Sequence, residues 1–267
     1  MWILPARIIS HSHRHNLSRS LFAKGSALAH TTLARHGLGT RALHSLIALV
    51  ITMLLVTGIA LGDIFANSVV TLLGGHLAVN SVHRLLGMIF ATALALLVLL
   101  LPGRVKCLLH DTTRFNRDEL SWPLDFLRFY LRPEQHPVPF HDGRFDPLQR
   151  VILAGIIGSV VLACVRGVTI YLALPLEQLL LVYMIRTHIV ASWLLIGFLC
   201  AHILAGSGLL RTHRGIATAI FGNGRVAVGL ANNLWPGWTR RQTDKTPAVP
   251  PSLPSAQSDA QDHRAQS

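Results

Sequence analysis

The chain has 267 residues, 51% hydrophobic and only 13% charged, with 24 Lys and Arg against 12 Asp and Glu. Such a balance excludes an ordinary soluble domain and suits a chain dissolved in lipid. Cys107, Cys164 and Cys200 form no CxxC pair, so the sequence encodes no disulfide scaffold.

Residues 1–40 contain no Asp or Glu and are rich in Arg, His and Ser. They are expected to form a basic cytoplasmic arm on anionic lipid, with an organellar transit peptide as the alternative. The HSHRH run at His11, His13 and His15 could bind a metal, but no Cys or carboxylate accompanies it. Residues 41–242 then hold four apolar stretches, approximately 43–61, 77–101, 151–174 and 187–210, each long enough to cross a bilayer. Lipid demands that a crossing segment satisfy its own backbone, so each stretch predicts a helix. The fold expected is an all-α membrane protein, a four-helix up-and-down bundle.

Between spans two and three, LSWPLDFLRFYL mixes apolar and charged positions as a helix lying on the membrane surface does. Ser121 is its candidate N-cap, with proline in the first turn. After span four, RTHRGIATAIFG predicts another short amphipathic helix. The tail at 243–267 is rich in Pro, Ser, Ala and Gln, the composition of a disordered segment.

The loops fix the orientation. Six Lys or Arg precede span one, eight lie between spans two and three, and seven follow span four. The loop between spans one and two has none. Positive residues stay on the cytoplasmic side, so both termini and the middle loop are expected there, and the basic excess marks topology rather than a nucleic-acid partner.

Four histidines, His44, His83, His188 and His202, fall within or at the edges of these spans, where imidazole is costly. Orientation gives each a depth. His83 and His188 lie in the outer layer, and His44 and His202 in the inner one. His188 and His202 are 14 residues apart on one helix, which puts them on nearly one face about 21 Å apart along the axis. Two depth pairs suit two bis-histidine haems, since two axial imidazoles leave iron for electron transfer. Zinc would ask for four ligands. With no CxxCH attachment site, such haem would be held non-covalently. Hydrogen-bonding core histidines are the alternative.

Neighbouring residues add to this pattern. Gly58 lies 14 residues after His44, level with the outer pair, and its missing side chain would let a porphyrin approach. Gly87, Gly197 and Gly206 could do the same or serve helix packing. Arg84, Arg166 and Arg186 break the positive-inside pattern near the outer pair, where they could hold haem propionates or snorkel to the surface. Asp146 and Gln149 stand at the cytoplasmic start of span three. Asp146 could pass a proton to a bound quinone, or cap the helix ahead of Pro147.

At this point the sequence resembles the gamma subunit of membrane-bound respiratory formate dehydrogenases, a di-haem cytochrome b anchor. The similarity spans roughly residues 37–241. It is carried by RALHSLIALVITMLLVTG, SVHRLLG, DELSWPLDFLRFYLRPEQHP, FDPLQR, RTHIVASWLLIGFLCAHI and RGIATAIFGNGRVAVGLANNLWPGW. The resemblance implies two haem b groups on the four histidines and a quinone acceptor at the cytoplasmic side. It implies an iron–sulfur beta subunit outside, a molybdenum- or tungsten-containing catalytic alpha subunit, and a bacterial inner membrane. Nickel–iron hydrogenase and thiosulfate-reductase cytochromes share the histidine plan more loosely. A haem-free transporter or scaffold is the reading from a different class, but its Gly/Pro-broken spans in matching halves are absent. Ser45 and Arg84 depart from the aromatic and proline that commonly follow the first two histidines, and Asp146 from a common asparagine.

Overall fold

All four apolar stretches are long helices in the computed structural model, which describes residues 32–62, 67–115, 122–136, 140–172 and 177–244. The arm residues before 32, the HSHRH run, Ser121 and the tail from 245 lie outside the described residues. In chain order the elements begin with strand β1 (Thr32–Ala34) and helix α1 (Leu38–Leu61). A short α2 (Asn67–Leu72) leads to α3 (Gly75–Leu100), α4 (Pro102–Thr113) and α5 (Trp122–Leu131). Then come α6 (Pro147–Tyr171), α7 (Gln178–Gly206), a 3-10 turn (Arg211–His213) and α8 (Thr218–Phe221). Strand β2 (Arg225–Ala227), α9 (Val228–Leu234) and α10 (Pro236–Asp244) close the described chain.

Helices α1, α3, α6 and α7 have 24, 26, 25 and 29 residues and are apolar enough to cross a membrane. At 1.5 Å per residue they are roughly 36–44 Å long, enough for a hydrocarbon core of about 30 Å. The protein is therefore a multi-pass membrane protein. Helix α7 starts about two and a half turns before the expected 187, because Leu179–Ile185 continues the apolar run. Gly74, with φ of +96°, makes the turn into α3 that a side chain would oppose.

Helices α6 and α7 pack together along much of their length, α1 packs beside α3, and α3 touches α6. Ile51, Val160 and Leu195 centre the bundle core, with Ile47, Leu55, Phe90 and Leu199 around them. Leu46, Leu49, Leu85, Leu99 and Ile203 point outward, where only lipid would solvate them.

A second core lies at one end of the bundle. Phe126, Phe129 and Tyr130 of α5 are buried there with Val226, Leu234, Trp235 and Trp238. Helix α5 thus has two apolar faces: the 126/129/130 face is covered by protein, and Leu124, Leu127 and Leu131 remain exposed. The expected surface helix is half inside the protein. Strand β1 pairs antiparallel with β2, Leu33 opposite Val226, so the segments before α1 and after α7 lie on the same side. Residues 32–40 accordingly belong to the folded body rather than to a free arm. Arg35 anchors them, its guanidinium 3.9 Å from the Trp235 ring centre and 4.3 Å from that of Trp238. The amphipathic helix expected after α7 is broken into a 3-10 turn and the short α8, with Gly215 between them at φ of +89°.

Candidate functional site

The bundle brings the four histidines together in two pairs. His83 of α3 faces His188 of α7, the pair expected on the outer side and called the outer pair. His44 of α1 faces His202 of α7, the pair expected on the inner side and called the inner pair; each has its ring centres 6.2 Å apart. Neither pair touches ring to ring, and among the described residues no group of three or more His, Cys, Asp or Glu gathers around a metal position. A metal–imidazole bond is about 2 Å long and the ring centre lies roughly 1 Å beyond the nitrogen, so two axial rings on one iron stand about 6 Å apart. Both pairs have that separation.

Hydrogen bonds orient the outer rings. Thr57 Oγ1 lies 2.9 Å from His83 Nδ1 and donates its own proton to the Met53 carbonyl at 2.8 Å. His188 Nδ1 donates to the Ala163 carbonyl at 3.0 Å. With Nδ1 protonated, Nε2 of each ring keeps its lone pair for a metal. Glycines make room behind the rings. A Cβ on Gly58 would stand 3.2 Å from His83 Cε1, and one on Gly167 would stand 3.3 Å from His188 Cε1. Gly58 thus clears the histidine itself. Gly167 and Thr57 were not singled out from the sequence; the signal for Gly167 was a glycine in the outer third of span three, beside Arg166.

A cavity of about 800 Å³ surrounds the outer pair, within the range of about 300–1,000 Å³ usual for cofactor sites. Its wall includes Gly58, Gly87, Asn80, Arg84 and Tyr171 with both histidines. Arg84 lies over the Tyr171 ring at 4.8 Å. Arg166 is outside this wall: its Nη1 reaches Met184 Sδ at 2.8 Å and its Nε is buried without a hydrogen-bond partner among the described residues. Arg186 is exposed and also outside the wall. Added side chains at Gly197 and Gly206 would meet nothing within 4 Å, so neither shapes a close contact.

The inner pair is closed by the end domain. Phe221 sets its ring edge-on to His44 at 6.0 Å. Arg41 holds that segment, donating to the Ile220 carbonyl at 3.0 Å and to the Gly222 carbonyl. His44 Nδ1 is buried and has no hydrogen-bond partner among the described residues.

Asp146 serves as the cap of α6. Its Oδ1 accepts the Gln149 N–H at 2.9 Å and its Oδ2 accepts the Tyr130 hydroxyl at 2.6 Å. Gln149 in turn accepts the Trp235 indole N–H at 3.3 Å. Complete burial pushes Asp146 up to about 6, against the opposing pull of the Tyr130 and backbone hydrogen bonds. Burial also raises the Tyr130 hydroxyl well above its ordinary range, with the Asp146 charge adding to it. His213 packs its ring edge-on against Tyr130 at 4.3 Å, and burial lowers it to about 4, so it is neutral. Both oxygens of Asp146 are committed to protein partners.

The model of one family, prokaryotic cytochrome b561, matches residues 35–222. The chain belongs to that family. The match covers the four long helices and all four histidines, and it makes the protein a membrane cytochrome b that takes part in electron transfer. The family implies haem b, and the outer and inner histidine pairs fit an axially held iron by their spacing. No curated protein matches the chain.

Proposed function

We propose that this cytochrome b561-family protein is the di-haem membrane anchor of a formate dehydrogenase-type complex. It would take electrons from an iron–sulfur beta subunit on the outer side, itself fed by a molybdenum- or tungsten-containing alpha subunit. A quinone on the cytoplasmic side would receive them. The observation that carries the reading is the repeated 6.2 Å histidine pair, offset by 14 residues of α7. When bound, two haems at these pairs would supply one-electron centres stacked across the bilayer.

The chain's own residues divide the work. His83 and His188 would hold the outer haem and His44 and His202 the inner one, while the hydrogen bonds at Nδ1 fix the outer rings. Arg84, with Asn80 beside it in the cavity wall, is placed to meet propionates. The Asp146–Tyr130 contact and the Gln149–Trp235 contact lock α6 to the end domain, so a quinone would meet a rigid floor rather than a free carboxylate. Formate is favoured over hydrogen by two segments of the resemblance, the α5 loop and the WPGW close. They pack into one core through Phe126, Tyr130, Trp235 and Trp238.

Anaerobic membranes carrying the chain with its native complex would be given formate or hydrogen while the b-haem absorbance is followed. Reduction by formate alone supports the proposal. Reduction by hydrogen alone would move the protein to a nickel–iron hydrogenase, and reduction by neither contradicts both electron donors.

A further inference from the structure

We infer that Thr57 is a positioning residue for the outer haem, fixing the His83 tautomer and holding that haem's redox potential down. The inference rests on the haem reading proposed above. Thr57 sits on α1 across from His83 on α3. Its Oγ1 is 2.8 Å from the Met53 carbonyl and 2.9 Å from His83 Nδ1. Carbonyls can only accept, so the hydroxyl proton goes to Met53, the nearer of two carbonyls (Leu54 O is at 3.2 Å). The oxygen lone pair is left for Nδ1–H, beside the Leu54 carbonyl that also accepts from His83. That arrangement leaves the lone pair of Nε2 for iron. Donating a hydrogen bond from Nδ1 also makes an imidazole a more basic ligand, which favours the oxidised metal.

The next residue completes the seat. A Cβ at Gly58 would press on His83 Cε1 at 3.2 Å, so consecutive residues of α1 set the ring's proton and its clearance. The opposite ring has a matching seat on α6, with the Ala163 carbonyl 3.0 Å from His188 Nδ1 and Gly167 behind Cε1. The inner side differs, since His44 Nδ1 is buried without a partner among the described residues.

The test is a redox titration of b-haem absorbance on the full chain purified in detergent. Thr57→Val keeps the side-chain shape and removes the hydroxyl; Thr57→Ser restores the hydroxyl. His83→Ala identifies the outer component by removing it. Thr57→Val should retain both haems, with the outer one titrating at a higher potential, the inner one unmoved, and the wild-type value restored by Thr57→Ser. Loss of the outer haem alone in Thr57→Val, with retention in Thr57→Ser, also supports the role. Unchanged potentials in Thr57→Val, an equal shift of both haems, or loss of both haems would overturn it. A wild-type chain without haem, or His83→Ala with both haems intact, would instead overturn the haem reading itself.

Discussion

Replacing Asp146 with Asn keeps the cap of α6 while removing a buried charge. The amide oxygen can still accept the Gln149 N–H, and the amide nitrogen can donate to the Tyr130 oxygen. In the native chain, burial lifts Asp146 from its ordinary 3.8 to about 6. For an acid raised in this way, the folded state binds the proton more tightly than the unfolded chain. Its contribution to stability is fully present below pH 4 and is lost as pH rises through about 6, a change of about 3 kcal/mol. Asp146→Asn carries no such titration. His36 and His213, both lowered to about 4 by burial, slope the other way, but they are common to both proteins and cancel in the comparison. Thermal unfolding of the detergent-solubilised full chain from pH 4 to pH 8 reads the difference. The variant should gain on the native protein as pH rises through 6. A difference that stays flat across that range would contradict a proton held on buried Asp146.

Further expectations concern the packing. Gly155→Ala would drive a methyl group into the Phe198 ring where α6 meets α7, lowering stability by about 1–3 kcal/mol; pairing it with Phe198→Leu should recover part of the loss in thermal midpoint. Arg35→Lys exchanges a planar cation between two indoles for a point charge, at a cost of about 1–2 kcal/mol seen in thermal unfolding. Gly167→Ala should tilt His188 and reduce the outer haem in a spectral haem count while sparing the inner one.

The four spans were legible because lipid imposes one simple demand, a long apolar run with internal hydrogen bonds. The facing of His83 with His188 and of His44 with His202 follows from loop charge and helix rise alone. Gly58, Gly87 and Arg84 around His83 and His188 were legible as well, but the hydrogen-bond partners of the ring nitrogens did not show in the sequence. Thr57 is one of many threonines that bond their own helix, and nothing local marks its contact with a residue 26 positions away. The end domain was hidden for a similar reason. Its core joins α5, β2, α9 and α10 across more than a hundred residues; α5 shows a helical pattern, but nothing local marks which of its faces protein covers, and the other pieces are too short to show a pattern. Asp146 could be read as either a proton group or a cap; only the partners of its two oxygens make it a cap.

Two haems held by the two histidine pairs are tested most directly by haem stoichiometry in the purified chain, with His202→Ala beside it. Two non-covalent b-type haems per chain are expected, and one in His202→Ala, with the His83–His188 centre still spectrally intact. A wild-type chain that binds no haem or a single haem, or a His202→Ala protein that keeps both, would contradict this arrangement.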